Sequence, residues 1–286
     1  MLSWKLQNFP GENRATVEEP NGLLILREVP QAKEWDIPVY WRLALIRMAI
    51  ATLGGTSLIA TLCAISNNAT VRTDGYSCAI VAAVNVIACY HYYAIYKIRT
   101  SIVSSEKNVS VISSNEDEVD LVRHVDWCLT LPLMVIDLYR LSQAATGGAK
   151  SWMNDNIAAS LAFVMVVLGV VYRFSANVYL RAPAFVVSCV IFGFVVHAIT
   201  SPIHLNKCNA PEGRCDTDGD VEDERAVLIF TYVWIGYPLV ALASSVLPWG
   251  DVKQLSVLKD AAYAVLDIFS KAGLAFFVAY RTLRYA

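Results

Sequence analysis

Apolar residues in this chain run in long, nearly unbroken stretches rather than alternating or marking one face of a helix. The stretches lie at about 39–66, 77–98, 121–143, 152–173, 182–203, 225–247 and 256–283. Each holds about 20 residues or more, enough at 1.5 Å per residue to cross roughly 30 Å of hydrocarbon. Helix breakers fall between or beside them: Asn67-Asn68, Gly147-Gly148, Pro202, Pro248 and Gly250. The pattern predicts an all-α membrane protein, a seven-transmembrane-helix bundle formed as one domain by residues 38–286. Residues 1–37 are mixed and polar, with Pro10, Pro20 and Pro30 as breaks. They read as a polar N-terminal extension with a short strand at 23–26 and no signal peptide. Residues 100–119 and 204–224 read as long polar loops.

Composition supports this reading. Of 286 residues, 56% are hydrophobic and 17% charged, against about 45–50% and 25% in soluble domains. The net charge of −2 supplies no basic field, so no nucleic-acid partner is expected. The seven cysteines (Cys63, Cys78, Cys89, Cys128, Cys189, Cys208 and Cys215) form no CxxC pair, which argues against a metal ribbon. The spacing of Cys208 and Cys215 allows a disulfide without requiring one. The acidic run Asp216, Asp218, Asp220, Glu222, Asp223 and Glu224 is no calcium loop. Gly219 stands fourth rather than sixth, and Val227 occupies the place of the bidentate Glu. Lys and Arg divide about ten to eight between the two sides, so charge does not orient the bundle.

The chemistry lies in the charges within the apolar stretches, because an ionisable group at membrane depth costs several kcal/mol and marks function by default. The third span holds Arg123, Asp126, Asp137 and Arg140. On a helix, Arg123 lies one turn before Asp126 and Thr130 one turn after. Asp137 lies three turns and about 16 Å beyond Asp126 on nearly the same stripe. Two carboxylates so placed are spaced like stations of a proton path; the alternative is pairing with neighbouring helices. In the seventh span Asp267 and Lys271 are four apart and share a face. They could form a buried salt bridge, or Lys271 could condense with an aldehyde beside Asp267 and Asp126 as counter-ions. Trp127, Trp234 and Tyr237 could be packing or the walls of a flat slot beside the kink at Pro238.

These residues resemble the microbial (type 1) rhodopsins. The stretch Arg123-His-Val-Asp-Trp-Cys-Leu-Thr-Leu-Pro-Leu-Met-Val-Ile-Asp137 is similar to that family's third helix. Trp234-Ile-Gly-Tyr-Pro238 is similar to its sixth, and Asp267-Ile-Phe-Ser-Lys271 to its retinal-attachment helix. Ala88-Cys-Tyr-His91-Tyr-Tyr is similar to the proteorhodopsin and xanthorhodopsin branch. The resemblance implies all-trans retinal on Lys271 as a protonated Schiff base, with Asp126 as proton acceptor and, with Asp267, counter-ion. Asp137 becomes the proton donor, and His91, Arg123 and Thr130 tune the acceptor. The implied retinal pocket comprises Trp127, Leu131, Met134, Met165, Gly169, Trp234, Tyr237, Pro238 and Ser270. Asp126, Thr130 and Asp137 match the signature of outward proton pumps, and Met134 implies green absorption. A carotenoid antenna is left open.

There are departures. The usual donor of that branch is Glu, where this chain has Asp137. The paired exit-side glutamates of bacteriorhodopsin map near Lys259 and Trp249, so proton release needs another route. The expected protein is thus no enzyme but an integral, multi-pass membrane pump, in a lipid bilayer and self-associating as a homo-oligomer. A light-gated cation channel is the alternative, although Leu131 and Ala162 stand where chlorophyte channels place their gating pair. A sensory photoreceptor and a receptor without retinal are further alternatives.

Overall fold

The computed structural model describes residues 14–18, 24–28, 39–66, 72–104, 109–146, 153–209, 218–246 and 252–285. The chain divides into two compact units, Met1–Ile37 and Pro38–Ala286. In the first, β1 (Arg14–Glu18) pairs antiparallel with β2 (Leu24–Glu28), Arg14 opposite Glu28 and Glu18 opposite Leu24. Only the second strand was expected, two residues earlier at its end; β1 is polar and short, so it stands out only once it has a partner.

The second unit is built of α1 (Val39–Ser66), α2 (Arg72–Ser104), α3 (Val109–Ala145), α4 (Asp155–Phe174), α5 (Val178–Asn209) and α6 (Asp218–Val246). The last rod comprises α7 (Val252–Asp267), a π-helical turn (Ile268–Ala272) and α8 (Gly273–Tyr285). Hydrocarbon offers backbone groups no partners, so each crossing segment bonds within itself as a helix. Successive helices pack as neighbours, the last rod closes onto α1 and α2, and α3 also meets α5 and α6. Six of the seven rods contain a stretch long and apolar enough to span a membrane. The exception is α3, whose charges dilute it.

Two of the expected loops are helix. The segment 100–119 belongs largely to the end of α2 and the start of α3. Its charges are used in ion pairs: Glu116 binds Arg99 of α2, and Asp117 binds Arg173 of α4 at 2.8 Å. The segment 204–224 likewise lies mostly in α5 and α6. Of its acidic run, Asp223 in the second turn of α6 is buried 3.0 Å from Arg281. The side chains of Cys208 and Cys215, and Trp249, lie outside the described residues.

Small side chains let the helices approach. Ala49 and Ala88 join α1 to α2 in one apolar cluster, and Ala82, Ala158, Ala162 and Ala198 enter the other. Gly236 lets α6 approach α7: a Cβ there would come within 2.6 Å of a Leu266 methyl, which would have to shift. The chain is an integral, multi-pass membrane protein.

Candidate functional site

The centre of the bundle is an amine between two carboxylates. Lys271, 2% exposed, projects from the π-helical turn. Its Nζ donates to Oδ2 of Asp126 and stands 3.2 Å from Oδ1 of Asp267. The i, i+4 spacing within the last rod and the inward stripe of α3 bring the three together. Asp267 is fixed from two further helices: the Tyr92 hydroxyl donates at 2.8 Å and the Tyr237 hydroxyl at 2.7 Å. Tyr237 also shares a hydrogen bond of 2.8 Å with Ser270.

Asp126 is held less completely. His91 Nδ1 lies 3.6 Å from its Oδ1, but that nitrogen hydrogen-bonds the Ile87 carbonyl at 2.8 Å. Oδ1 has no hydrogen-bond partner among the described residues. The Thr130 hydroxyl donates to the Asp126 backbone carbonyl at 2.8 Å rather than to the carboxylate. Trp127 Nε1 is likewise buried and unpartnered. Its ring meets Tyr237 and Tyr263 edge-on, at 5.5 and 5.1 Å between centroids.

Of the remaining expected pocket residues, Trp234 and Met134 are buried in the core cluster, and Leu131 packs against it. Pro238 lies within α6 beside Tyr237. On α4, a Cβ added at Gly169 would lie 3.8 Å from the His124 ring, and the Met165 carbonyl accepts from Ser188 at 3.1 Å. Asp137, 1% exposed, lies toward the end of α3. Neither of its oxygens meets a partner at hydrogen-bonding geometry, although the Ser77 hydroxyl stands beside it.

Arg123 pairs with carboxylates other than those that flank Lys271. It donates to Asp260, lies 3.3 Å from Asp120, and sits 5.1 Å over the Tyr263 ring. Asp260 is the principal residue that sequence reasoning missed. It also receives Arg99 at 2.9 Å and Arg42 at 3.5 Å, so arginines from three helices converge on one buried carboxylate. Lys259, beside it, pairs with Asp120 at 2.8 Å. Tyr92 was missed as well. It is one of three tyrosines in Tyr90-His-Tyr-Tyr93, and only the phase of α2 against the last rod selects it.

Known proteins share this fold. The family described as bacteriorhodopsin-like protein matches residues 44–284. A green-light absorbing proteorhodopsin from Gamma-proteobacterium EBAC31A08 is 30% identical over 93 residues, 32% of this chain and 36% of its own length. The alignment thus spans about a third of that curated relative. Among solved structures, xanthorhodopsin, described as a light-driven ion pump with dual chromophore, superposes with a TM-score of 0.64. Its identity is 18%, with 86% of this chain and 94% of that one covered. A thermophilic rhodopsin gives 0.66 at 18% identity, with the same coverage. A light-driven proton pump of Coccomyxa subellipsoidea gives 0.58 at 20% identity, covering 84% and 96%. With a family match across the whole bundle, and a buried lysine amine between two carboxylates at its centre, this chain belongs to the bacteriorhodopsin-like family of microbial rhodopsins.

Proposed function

We propose that the protein is a retinal-bound, light-driven outward proton pump. The observation that carries this reading is the Lys271 amine, held between Asp126 and Asp267 in the middle of the bundle. A buried primary amine beside carboxylates suits capture of an aldehyde. The unpartnered Asp126 Oδ1 and Trp127 Nε1, and the aromatic walls Trp127 and Tyr237, suit a flat, elongated occupant. Retinal, when bound there, supplies a light-absorbing polyene whose isomerisation displaces the proton-bearing nitrogen of Lys271.

The side chains then divide the work. Asp267, fixed by two tyrosine hydroxyls, stays in place as a standing negative charge. Asp126, with one oxygen free, accepts the proton from Lys271 Nζ. His91, beside that oxygen, adjusts how readily it does so. Asp137 returns a proton from the other side, because a buried carboxyl with no ion pair among the described residues carries a proton at less cost than a charge. Arg123 and its carboxylates hold the release side together. That interlocked side, with buried Ala162 and core-packed Leu131 where a channel gate would need polar groups, supports pump over channel.

Illuminated cells expressing the protein with retinal are expected to acidify the medium, with the signal abolished by an uncoupler. A photocurrent whose reversal potential follows the cation gradient would replace this reading with a channel. Lys271→Ala is expected to be colourless, and Asp126→Asn to lose transport and shift the band to the red. Visible absorbance in the first variant, or an unchanged spectrum in the second, would refute the assigned roles.

A further inference from the structure

A single amide within α2 reaches the backbone of the Lys271 turn. Asn85 is fully buried. Its Nδ2 donates to the Val81 carbonyl at 2.8 Å and to the Lys271 carbonyl at 3.2 Å. The Thr56 hydroxyl of α1 stands 3.1 Å from its Oδ1, with its single proton shared between that oxygen and the Thr52 and Leu53 carbonyls at 2.9 and 3.2 Å. The amide has only one sensible orientation: turned over, Oδ1 would face two carbonyl oxygens. Both donor positions of the amide are therefore used, one within α2 and one to the last rod, while its oxygen faces α1.

The location gives these bonds significance. A π-helical turn disturbs the regular ladder and is common where function needs it. Here the turn spans Ile268–Ala272 and carries Lys271, whose carbonyl accepts the amide from α2. Along α2, Asn85 lies six residues, about 9 Å, from His91 and eight, about 12 Å, from Ser77. It thus stands between the level of Asp126 and that of Asp137.

We infer that Asn85 is a positioning residue: its amide ties the Lys271 carbonyl to α2 and sets how easily the turn that aims Nζ can move. The inference rests on the reading of Lys271 given above. A residue that merely packed α2 would need the Val81 bond alone.

The test uses the fact that Lys271-Ala272 is the sole Lys-Ala pair in the sequence. Labelling lysine carbonyls with ¹³C and alanine nitrogens with ¹⁵N therefore isolates the Lys271 carbonyl in a solid-state NMR spectrum. In retinal-free protein in lipid, Asn85→Leu and Asn85→Ser are expected to move that resonance upfield, as for a carbonyl that loses a donor. Should Asn85→Leu fail to fold, the smaller Asn85→Ser carries the measurement. An unchanged resonance overturns the tie. With retinal added, bleaching by hydroxylamine in the dark is expected to quicken about threefold to tenfold, the weight of one neutral hydrogen bond. An unchanged rate overturns the positioning role. Failure of the parent protein to colour with retinal would instead overturn the reading of Lys271, and the retinal-free spectrum would still decide the contact.

Discussion

At the face where α1 begins, five cations and four carboxylates interlock: Arg42, Arg99, Arg123, Arg173 and Lys259 with Glu116, Asp117, Asp120 and Asp260. They come from α1, α2, α3, α4 and α7. Toward the opposite face the interior holds Asp137, with Val135 and Leu138 buried beside it in α3. The ion pairs of that half among the described residues, Arg140 with Asp155, Asp223 with Arg281 and Glu222 with Arg284, belong to the outer turns of α3, α4, α6 and α8. The contrast separates two uses of buried charge. Matched charges hold each other ionised and hold five helices in register; losing one partner leaves the rest uncompensated. A carboxyl outside any close ion pair holds no helices in register, and can gain or lose a proton.

This contrast predicts opposite outcomes for the same kind of substitution. Asp260→Asn strips the common partner from three arginines and is expected to destabilise the bundle by about 3–5 kcal/mol. The check is the temperature at which the visible band is lost; a midpoint equal to the parent's would remove the structural role. Asp137→Asn, equally buried, is expected to leave that midpoint nearly unchanged. It should instead slow recovery of the dark state about 10²-fold, the usual weight of a positioned proton donor. Flash absorption measures this, and restoration of the rate by azide would show that proton supply alone was lost. Glu222→Gln, at an exposed pair with Arg284 2.6 Å away, marks the small end of the scale, at about 0.2–1 kcal/mol. A larger loss there would mean that the two halves are wired more alike than their interiors suggest.

What was legible in the sequence follows the same division. Lys271, Asp126, Asp267 and Asp137 stand out because each interrupts an apolar run, where an ionisable residue is expensive. Asp260 does not, because it lies near the polar start of α7, after Lys253 and Lys259, and looks like a residue at the edge of a loop. The segment 100–119 was misread for the same reason: a charge paired across helices and a charge facing water have the same letter. Asn85 is a lone small polar residue in an apolar helix, and the carbonyl it reaches, 186 positions away, leaves no mark on local pattern. The rule that membrane charges are exceptional locates the centre of the bundle well and its ends poorly.

The π-helical turn also bears on how this chain can change length. Such a turn accommodates one residue more than the α-helical turn it replaces, while the segments on either side keep their original faces. Deleting a residue elsewhere in the last rod would swing everything downstream by about 100° and turn buried Leu274 and Val278 toward lipid. Deleting Ala272 would absorb the change within the irregular turn, so the one tolerant position in this rod adjoins its most demanding side chain.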